Sequence, residues 1–376
     1  MPAIYLDHAA STPLRPGVAE AMAPFLSGAN PSAMHRPGRL ARKALEDARD
    51  LVAEKLGAHP RELVFCSGGT EADNLAVLGA APGRGMLTCA TEHPAVLSPA
   101  RSRGAKILNP RPDGTLDPAA FETALDADTG FASLMLANNE TGVLHPIREI
   151  GRICRARGIL LHGDAAQAIG HIPVDWKTLP VDLLSFTAHK FGGPRGAGVL
   201  LVRSSVTLKP LLLGGDHEGG RRPGTENVAA AVGLAEALAQ VLGDLVEESA
   251  RISALRDRLT AGLKKAFPDL LVHGEAAPRL PQIASLSLPG VDGSTLLVAL
   301  DQEGLAVSAG SACHTGSADP SPVLTAMGVP AALSRGTVRL SLGHSSTPAE
   351  VDAALGILVR IAGRLKAGAS TSSGGG

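Results

Sequence analysis

Aromatic side chains are scarce. The 376 residues include seven phenylalanines, one tryptophan and one tyrosine. The core must therefore be aliphatic, and the rings on which single-stranded nucleic acid stacks are missing. An excess of one charge is missing too: 35 Lys and Arg stand against 36 Asp and Glu, a net of −1. Nucleic acid and anionic membrane both select a basic surface, so neither is expected as the main partner. Cysteine occurs four times, at Cys66, Cys89, Cys154 and Cys313. No two are close enough for a CxxC metal or redox pair, and no metal site is expected. So few cysteines in so long a chain do not make a disulfide framework, which points to a reducing, cytoplasmic setting. No apolar run approaches the ~20 residues of a membrane-spanning helix. The first seven residues lack the basic and apolar regions of a secretory leader.

What is present suits a large folded protein. Hydrophobic residues make up 44% and charged residues 19%, enough for a big core and, at this length, for two domains. From about residue 60 to 205, short apolar runs alternate with amphipathic stretches. Strands are expected at 63–66, 86–90, 131–137, 159–161, 183–186 and 198–202, with helices at 70–78, 94–102 and 147–157 between them. That alternation predicts an α/β fold with a mostly parallel sheet covered on both faces. A long amphipathic helix at 37–56 precedes it, with Arg39, Lys43, Glu46 and Asp50 on its solvated side. Beyond Gly224 the texture changes to Ala- and Leu-rich helices (226–245 and 246–267). A strand near 283–288, a helix at 294–303, a strand at 337–342 and a last helix from Pro348 follow. This predicts a large domain over 15–245 and a smaller α+β domain from 1–14 and 246–367. The Ser/Gly-rich tail 368–376 is expected to be disordered.

Three segments carry chemistry. Asp182-Leu183-Leu184-Ser185-Phe186-Thr187-Ala188-His189-Lys190 is an apolar strand that ends in Thr187, His189 and Lys190 before a Gly/Pro turn. Ile159-Leu160-Leu161-His162-Gly163-Asp164-Ala165-Ala166-Gln167 is another, ending in Asp164. In a parallel sheet both ends face the edge where open α/β folds bind ligands. A lysine and an aspartate meeting there suit pyridoxal phosphate, which needs an amine for its aldehyde and an anion for its ring nitrogen. An Asp–Lys salt bridge is the plain alternative. Third, Ser67-Gly68-Gly69-Thr70-Glu71 leads from strand to helix start, where glycines admit an anion close to the backbone and helix N–H groups receive it. A simple helix cap is the other reading. The segment is neither GxGxxG nor a Walker loop, so a nucleotide is disfavoured.

At this point the chain resembles a known family, the cysteine desulfurases and selenocysteine lyases, in the class V branch of fold type I pyridoxal-phosphate enzymes. The resemblance runs nearly end to end. It includes Tyr5-Leu6-Asp7-His8-Ala9-Ala10, Ser67-Gly68-Gly69-Thr70-Glu71, Glu92-His93 and Asn138-Asn139-Glu140-Thr141-Gly142. It continues through Asp164-Ala165-Ala166-Gln167, Ala188-His189-Lys190, Arg222-Pro223-Gly224-Thr225-Glu226-Asn227, Gly310-Ser311-Ala312-Cys313 and Arg339-Leu340-Ser341-Leu342-Gly343. The resemblance implies a large domain with a seven-stranded type of sheet. It implies that Lys190 is the Schiff-base lysine and proton shuttle, and that Asp164 holds the pyridine nitrogen. His93 would stack on the ring and act as acid or base. Gln167 and Asn139 would bind the phenolic oxygen region or the substrate carboxylate. Gly69, Thr70, Thr187 and His189 would hold the phosphate, with Thr225 reaching the phosphate of a neighbouring subunit in a homodimer. Arg339 would clamp the substrate carboxylate; a strand-edge ion pair is its plain alternative.

Cys313 decides the reaction. It sits among small residues in Ser308-Ala309-Gly310-Ser311-Ala312-Cys313-His314-Thr315-Gly316, a loop that exposes a thiol to a substrate. The implied activity is conversion of L-cysteine to L-alanine with the sulfur held on Cys313 as a persulfide. An acceptor, such as an iron–sulfur scaffold or a sulfur carrier, would then take it. His314 and the Arg222–Asn227 run also look like selenocysteine lyases, so L-selenocysteine stays open as substrate. An aminotransferase or other β-lyase on the same fold, and a non-catalytic scaffold, are the remaining alternatives.

Overall fold

The computed structural model describes residues 4–309 and 320–372. A two-residue strand, β1 (Ile4–Tyr5), comes first. Seven strands then build the main sheet: β2 (Leu63–Cys66), β3 (Gly85–Cys89), β4 (Lys106–Leu108), β5 (Thr129–Ser133), β6 (Leu160–Asp164), β7 (Leu183–Thr187) and β8 (Gly198–Val202). Their spatial order is β2-β8-β7-β6-β5-β3-β4. Only β8 runs against its neighbours; the other pairings are parallel. Side chains alternate between two cores, as the two-residue period of a strand requires. On β8, Val199 and Leu201 enter one core while Leu200 and Val202 enter the other. With both faces covered, a strand has no polar side, and β7 and β8 therefore read as nearly unbroken apolar runs.

The covering helices follow the same logic. Arg36–Leu56 buries Ala41, Leu45, Ala48, Val52 and Leu56, three or four residues apart, against the helix Val228–Gly243. The His35 side chain caps its start by accepting from the Gly38 N–H at 3.2 Å. Gly57, at φ 71°, ends it in the left-handed conformation that glycine tolerates. On the opposite face of the sheet, the helix Gly69–Gly79 lies over β7 and β8.

A second core gathers Leu6, Ile252, Leu255, Leu259, Leu286, Leu340, Val351 and Leu358. Its strands are β9 (Leu271–Val272), β10 (Ile283–Ser287), β11 (Leu305–Ala306), β12 (Ser308–Ala309) and β13 (Thr337–Ser341). Four form an antiparallel sheet in the order β12-β13-β10-β9, and β1 pairs in parallel with β11. The amino-terminal segment thus belongs to the second core yet crosses to the first. Leu6 donates its N–H to Ala306 at 2.8 Å, and Thr12 donates its N–H to His189 at 2.9 Å.

Two sequence expectations need correction. β5 stops at Ser133 rather than near 137. Beyond it the chain stays beside β6, with Leu134 and Leu136 donating to the His162 and Asp164 carbonyls at 3.0 and 2.8 Å. The tail expected to be disordered from 368 is helical as far as Ser372, within Pro348–Ser372. Extending a formed helix fixes one residue per new hydrogen bond, so small polar residues can continue what they could not start. Among the described residues, no single helix is long and apolar enough to cross a membrane, and no group of His, Cys, Asp or Glu could hold a metal ion.

Candidate active site

Five strands of like direction, β2, β3, β5, β6 and β7, end on one edge of the main sheet. The segments leaving them carry Gly69 and Thr70, His93, Asn139, Gln167, and His189 and Lys190. Strand polarity alone brings these distant positions together. After Thr187 the chain makes a single 3-10 turn, Ala188–Lys190. The Lys190 ammonium donates to the carbonyls of Ala9 and Ala10 at 2.7 and 3.0 Å. Gln167 donates to the same Ala9 carbonyl through Nε2 at 2.9 Å. The amino-terminal segment therefore closes the site from the side of the second core.

Asp164 ends β6 and is 5% exposed. Its Oδ1 accepts from the Ala166 N–H at 2.8 Å. Burial pushes its carboxyl up to about 6, while the Ala166 N–H and the Lys190 ammonium pull the other way. His93 caps the helix Pro94–Ser102, its Nδ1 accepting from the Ala95 N–H at 3.1 Å. That contact assigns the ring hydrogen to Nε2. Burial first, and Lys190 second, push the imidazole down to about 4. At neutral pH it is an uncharged ring with one donor, able both to stack and to exchange a proton. The capping role and the expected catalytic one use different parts of the same ring.

The helix start expected to cradle an anion is that of Gly69–Gly79. Its N-cap, Gly68, makes no side-chain cap hydrogen bond, and first-turn N–H groups have no partner within a helix. A Cβ on Gly198 would lie 2.5 Å from the Gly68 carbonyl carbon, so β8 approaches the cradle as only glycine permits. Thr187 is buried and donates its hydroxyl to the Ala197 carbonyl at 3.0 Å, while Thr70 is exposed. His189 Nδ1 lies 3.4 Å from the Ser11 hydroxyl. Burial, then the cations Lys190 and Arg195, push its imidazole down to about 4. Thr225 is exposed and lies with Ser67 and Arg222 on a cavity of about 120 Å³. A larger cavity, about 640 Å³, lies elsewhere among Arg42, Arg49 and Glu218, and no predicted site residue lines it.

Arg339 comes from β13 of the second core and is buried. It donates through Nη2 to Asp7 Oδ1 at 2.9 Å and through Nη1 to the Asn139 carbonyl at 2.8 Å. Of the two alternatives raised by the sequence, the ion pair is present, and the second contact places Arg339 beside Asn139. Cys313 lies outside the described residues. The other cysteines, Cys66, Cys89 and Cys154, are all buried. Burial pushes their thiols up, to about 11 for Cys89 and about 12 for Cys154, which makes them unreactive packing residues.

Sequence reasoning missed a polar row beneath Asp164. Ser133, His162 and Ser185 lie side by side on β5, β6 and β7, on the face covered by the helix Gly69–Gly79. The Ser133 hydroxyl is 2.9 Å from His162 Nδ1, and His162 Nε2 is 3.0 Å from the Ser185 hydroxyl. Ser185 in turn bonds Asp73 Oδ1, from that helix. Glu92 is a further buried carboxyl, its Oε1 accepting from the Met135 N–H. The available signal was polar residues at every second position of apolar strands, such as His162 and Asp164, which must share a face.

This site fits pyridoxal phosphate on its own terms. Gln167 Oε1 and Arg339 Nε are buried with no hydrogen-bond partner among the described residues, and buried polar atoms are seldom left so. Residues 4–354 match the family model for aminotransferase class-V. The chain is 41% identical to the cysteine desulfurase IscS of Dictyoglomus turgidum over 375 residues, covering 96% of this chain and 95% of that protein. It is 43% identical to the IscS-like cysteine desulfurase of Mycobacterium tuberculosis over 388 residues, covering 98% and 99%. Among solved structures, a NifS-like protein superposes with a TM-score of 0.88 at 34% identity, covering 96% of this chain and 99% of that one. SspA in complex with cysteine does so at 0.80 and 32%, covering 91% and 99%. The chain belongs to the class V aminotransferase family. Within it, the chain is a member of the cysteine desulfurases and has their fold type I architecture.

Proposed function

We propose that this protein is a pyridoxal-phosphate-dependent cysteine desulfurase that works as a cytoplasmic homodimer and hands sulfur to an acceptor protein, such as an iron–sulfur scaffold or a sulfur carrier. The observation that carries the reading is that the Lys190 ammonium acts on Asp164 at one sheet edge, beside Gln167, whose buried Oε1 has no partner among the described residues. Lys190, Asp164, Gln167 and His93 would hold the aldehyde end and ring of the cofactor. Gly69, Thr70, Thr187 and His189 would hold its phosphate, with Thr225 contributed across the dimer. When bound, the cofactor supplies a carbonyl for the substrate amine and an electron sink for charge left at the α-carbon.

The chain's own residues do the rest. Arg339 and Asn139 bind the substrate carboxylate and fix its orientation. Lys190 takes and returns the α-proton. Asp164 keeps a negative charge beside the ring nitrogen. The Cys313 thiolate attacks the substrate sulfur: an S–S bond forms, the substrate Cβ–S bond breaks, and protonation of that carbon completes alanine. Cysteine plus the enzyme thiol give alanine plus the enzyme persulfide, with atoms and electrons balanced and no outside reductant.

The test is incubation of the holoenzyme with L-cysteine or L-selenocysteine, measuring alanine and sulfide or selenide. Alanine from cysteine is expected, and Cys313→Ala should abolish it while keeping the cofactor's visible band. Undiminished alanine from cysteine in Cys313→Ala would overturn the role of Cys313. Alanine from selenocysteine alone would make the enzyme a selenocysteine lyase.

A further inference from the structure

Asp73 has no part in the chemistry above, yet it is 3% exposed and sits at the end of the polar row under Asp164. We propose that Asp73 is a positioning residue for the cofactor ring, kept as the neutral acid so that the buried negative charge rests on Asp164. The inference rests on the pyridoxal-phosphate reading of the site.

Two carboxylates close together in a water-free interior do not both ionise; the one with better cationic or dipolar support takes the charge. Asp164 has the Ala166 N–H at 2.8 Å and the field of the Lys190 ammonium. Asp73 has the Ser185 hydroxyl, with the uncharged His162 ring 3.7 Å away. The groups facing Asp73 are Asp164 and His162 from β6, Ser185 from β7 and Glu92 from the loop after β3. Burial first, then the two carboxyls, oppose its ionisation, and of these neighbours the Ser185 hydroxyl alone favours it. Burial pushes His162 down to about 3, so it offers no compensating cation.

The row then has a definite hydrogen order. A neutral Asp73 donates to the Ser185 hydroxyl, Ser185 donates to His162 Nε2, and His162 keeps its hydrogen on Nδ1, toward Ser133. An ionised Asp73 would reverse every step and put the hydrogen on Nε2. The His162 tautomer therefore reports the state of Asp73 directly.

Nitrogen NMR of the histidine-labelled protein, with and without pyridoxal phosphate, reads that tautomer. Hydrogen on Nδ1 is expected, and hydrogen on Nε2 overturns the proposal. Asp73→Asn presents an N–H where the neutral acid has its O–H. It should keep the cofactor dissociation constant within about twofold and leave the pH midpoint of the visible band unmoved. Asp73→Ala strands Ser185 and His162 and should weaken cofactor binding by about tenfold. An Asn variant as impaired as the Ala variant, or one with a shifted band midpoint, refutes the neutral acid. If the wild type binds no pyridoxal phosphate, the reading of the site fails, whereas the tautomer in the unloaded protein still tests the proton on Asp73.

Discussion

Gly198→Ala is a demanding test of the anion cradle, because it adds one methyl group to a strand that carries none of the expected site residues. Gly198 pairs with Cys66 across β8 and β2. Its added Cβ would meet the Gly68 carbonyl carbon at 2.5 Å and the Gly68 Cα and oxygen at 2.7 Å. Carbon atoms rest at about 3.5 Å, so one backbone must move by about 1 Å. β8 is held on both edges by β2 and β7, whereas Gly68 leads into the helix start with no side-chain cap. The shift should therefore fall on Gly68 and Gly69. Overpacking of this kind costs about 1–3 kcal/mol. A binding geometry displaced by about 1 Å can cost about a hundredfold. Titration of the purified apoprotein with pyridoxal phosphate, followed by its visible absorbance, gives the dissociation constant; thermal unfolding of the apoprotein gives the strain. Cofactor affinity is expected to fall by about ten- to a hundredfold while the protein stays folded. A Gly198→Ala protein with wild-type affinity and wild-type melting temperature would refute the reasoning that this close approach shapes the cradle.

Other consequences can be checked independently. The Asp164 carboxyl is raised from 3.8 to about 6 in the folded chain. The native state therefore binds more protons than the unfolded state across that window, and this group's contribution to apoprotein stability falls as pH rises through it. Asp164→Asn should flatten the melting-temperature profile there and lower alanine production by at least about a hundredfold; an unchanged profile would contradict the assignment. Arg339→Lys keeps a cation for Asp7 but loses the two-pronged contact. KM for cysteine should rise about tenfold with the cofactor band intact, and an unchanged KM would remove Arg339 from the substrate site. Trp176 is buried, donates Nε1–H to Glu62 at 2.9 Å and lies under the Arg203 guanidinium at 3.8 Å. Trp176→Phe should cost about 1–3 kcal/mol in urea unfolding, with holoenzyme turnover preserved.

Much of the candidate site is legible in the amino-acid sequence. Leu183 to Lys190 and Leu160 to Asp164 announce themselves because a strand buried on both faces is apolar until it ends, so the first polar residues mark the sheet edge. β4, β9, β11 and β12 gave no comparable signal. Strands of two or three residues have no measurable period, and their existence depends on partners far along the chain, as when Ile4 meets Leu305. The reversed direction of β8 was equally silent, since a two-faced apolar strand reads the same either way. The Asp73–Ser185–His162 row was hidden for a third reason: its members come from a helix and two strands separated by about a hundred residues, and only the folded sheet aligns them.

The path of residues 4–12 also bears on how the enzyme is made. This segment is translated before the main sheet, yet the pairing of β1 with Leu305 and Ala306 waits until those residues are made, and Ala9 must wait for the Ser341 hydroxyl that its N–H reaches at 2.9 Å. Its carbonyl is the one that anchors Lys190 and Gln167. At about 5–20 residues per second, the main sheet can assemble many seconds before that anchor arrives. Lys190 thus exists for a time on a nearly complete scaffold without its ceiling. Synthesis of the last strand, rather than of the lysine, sets the moment at which the site closes.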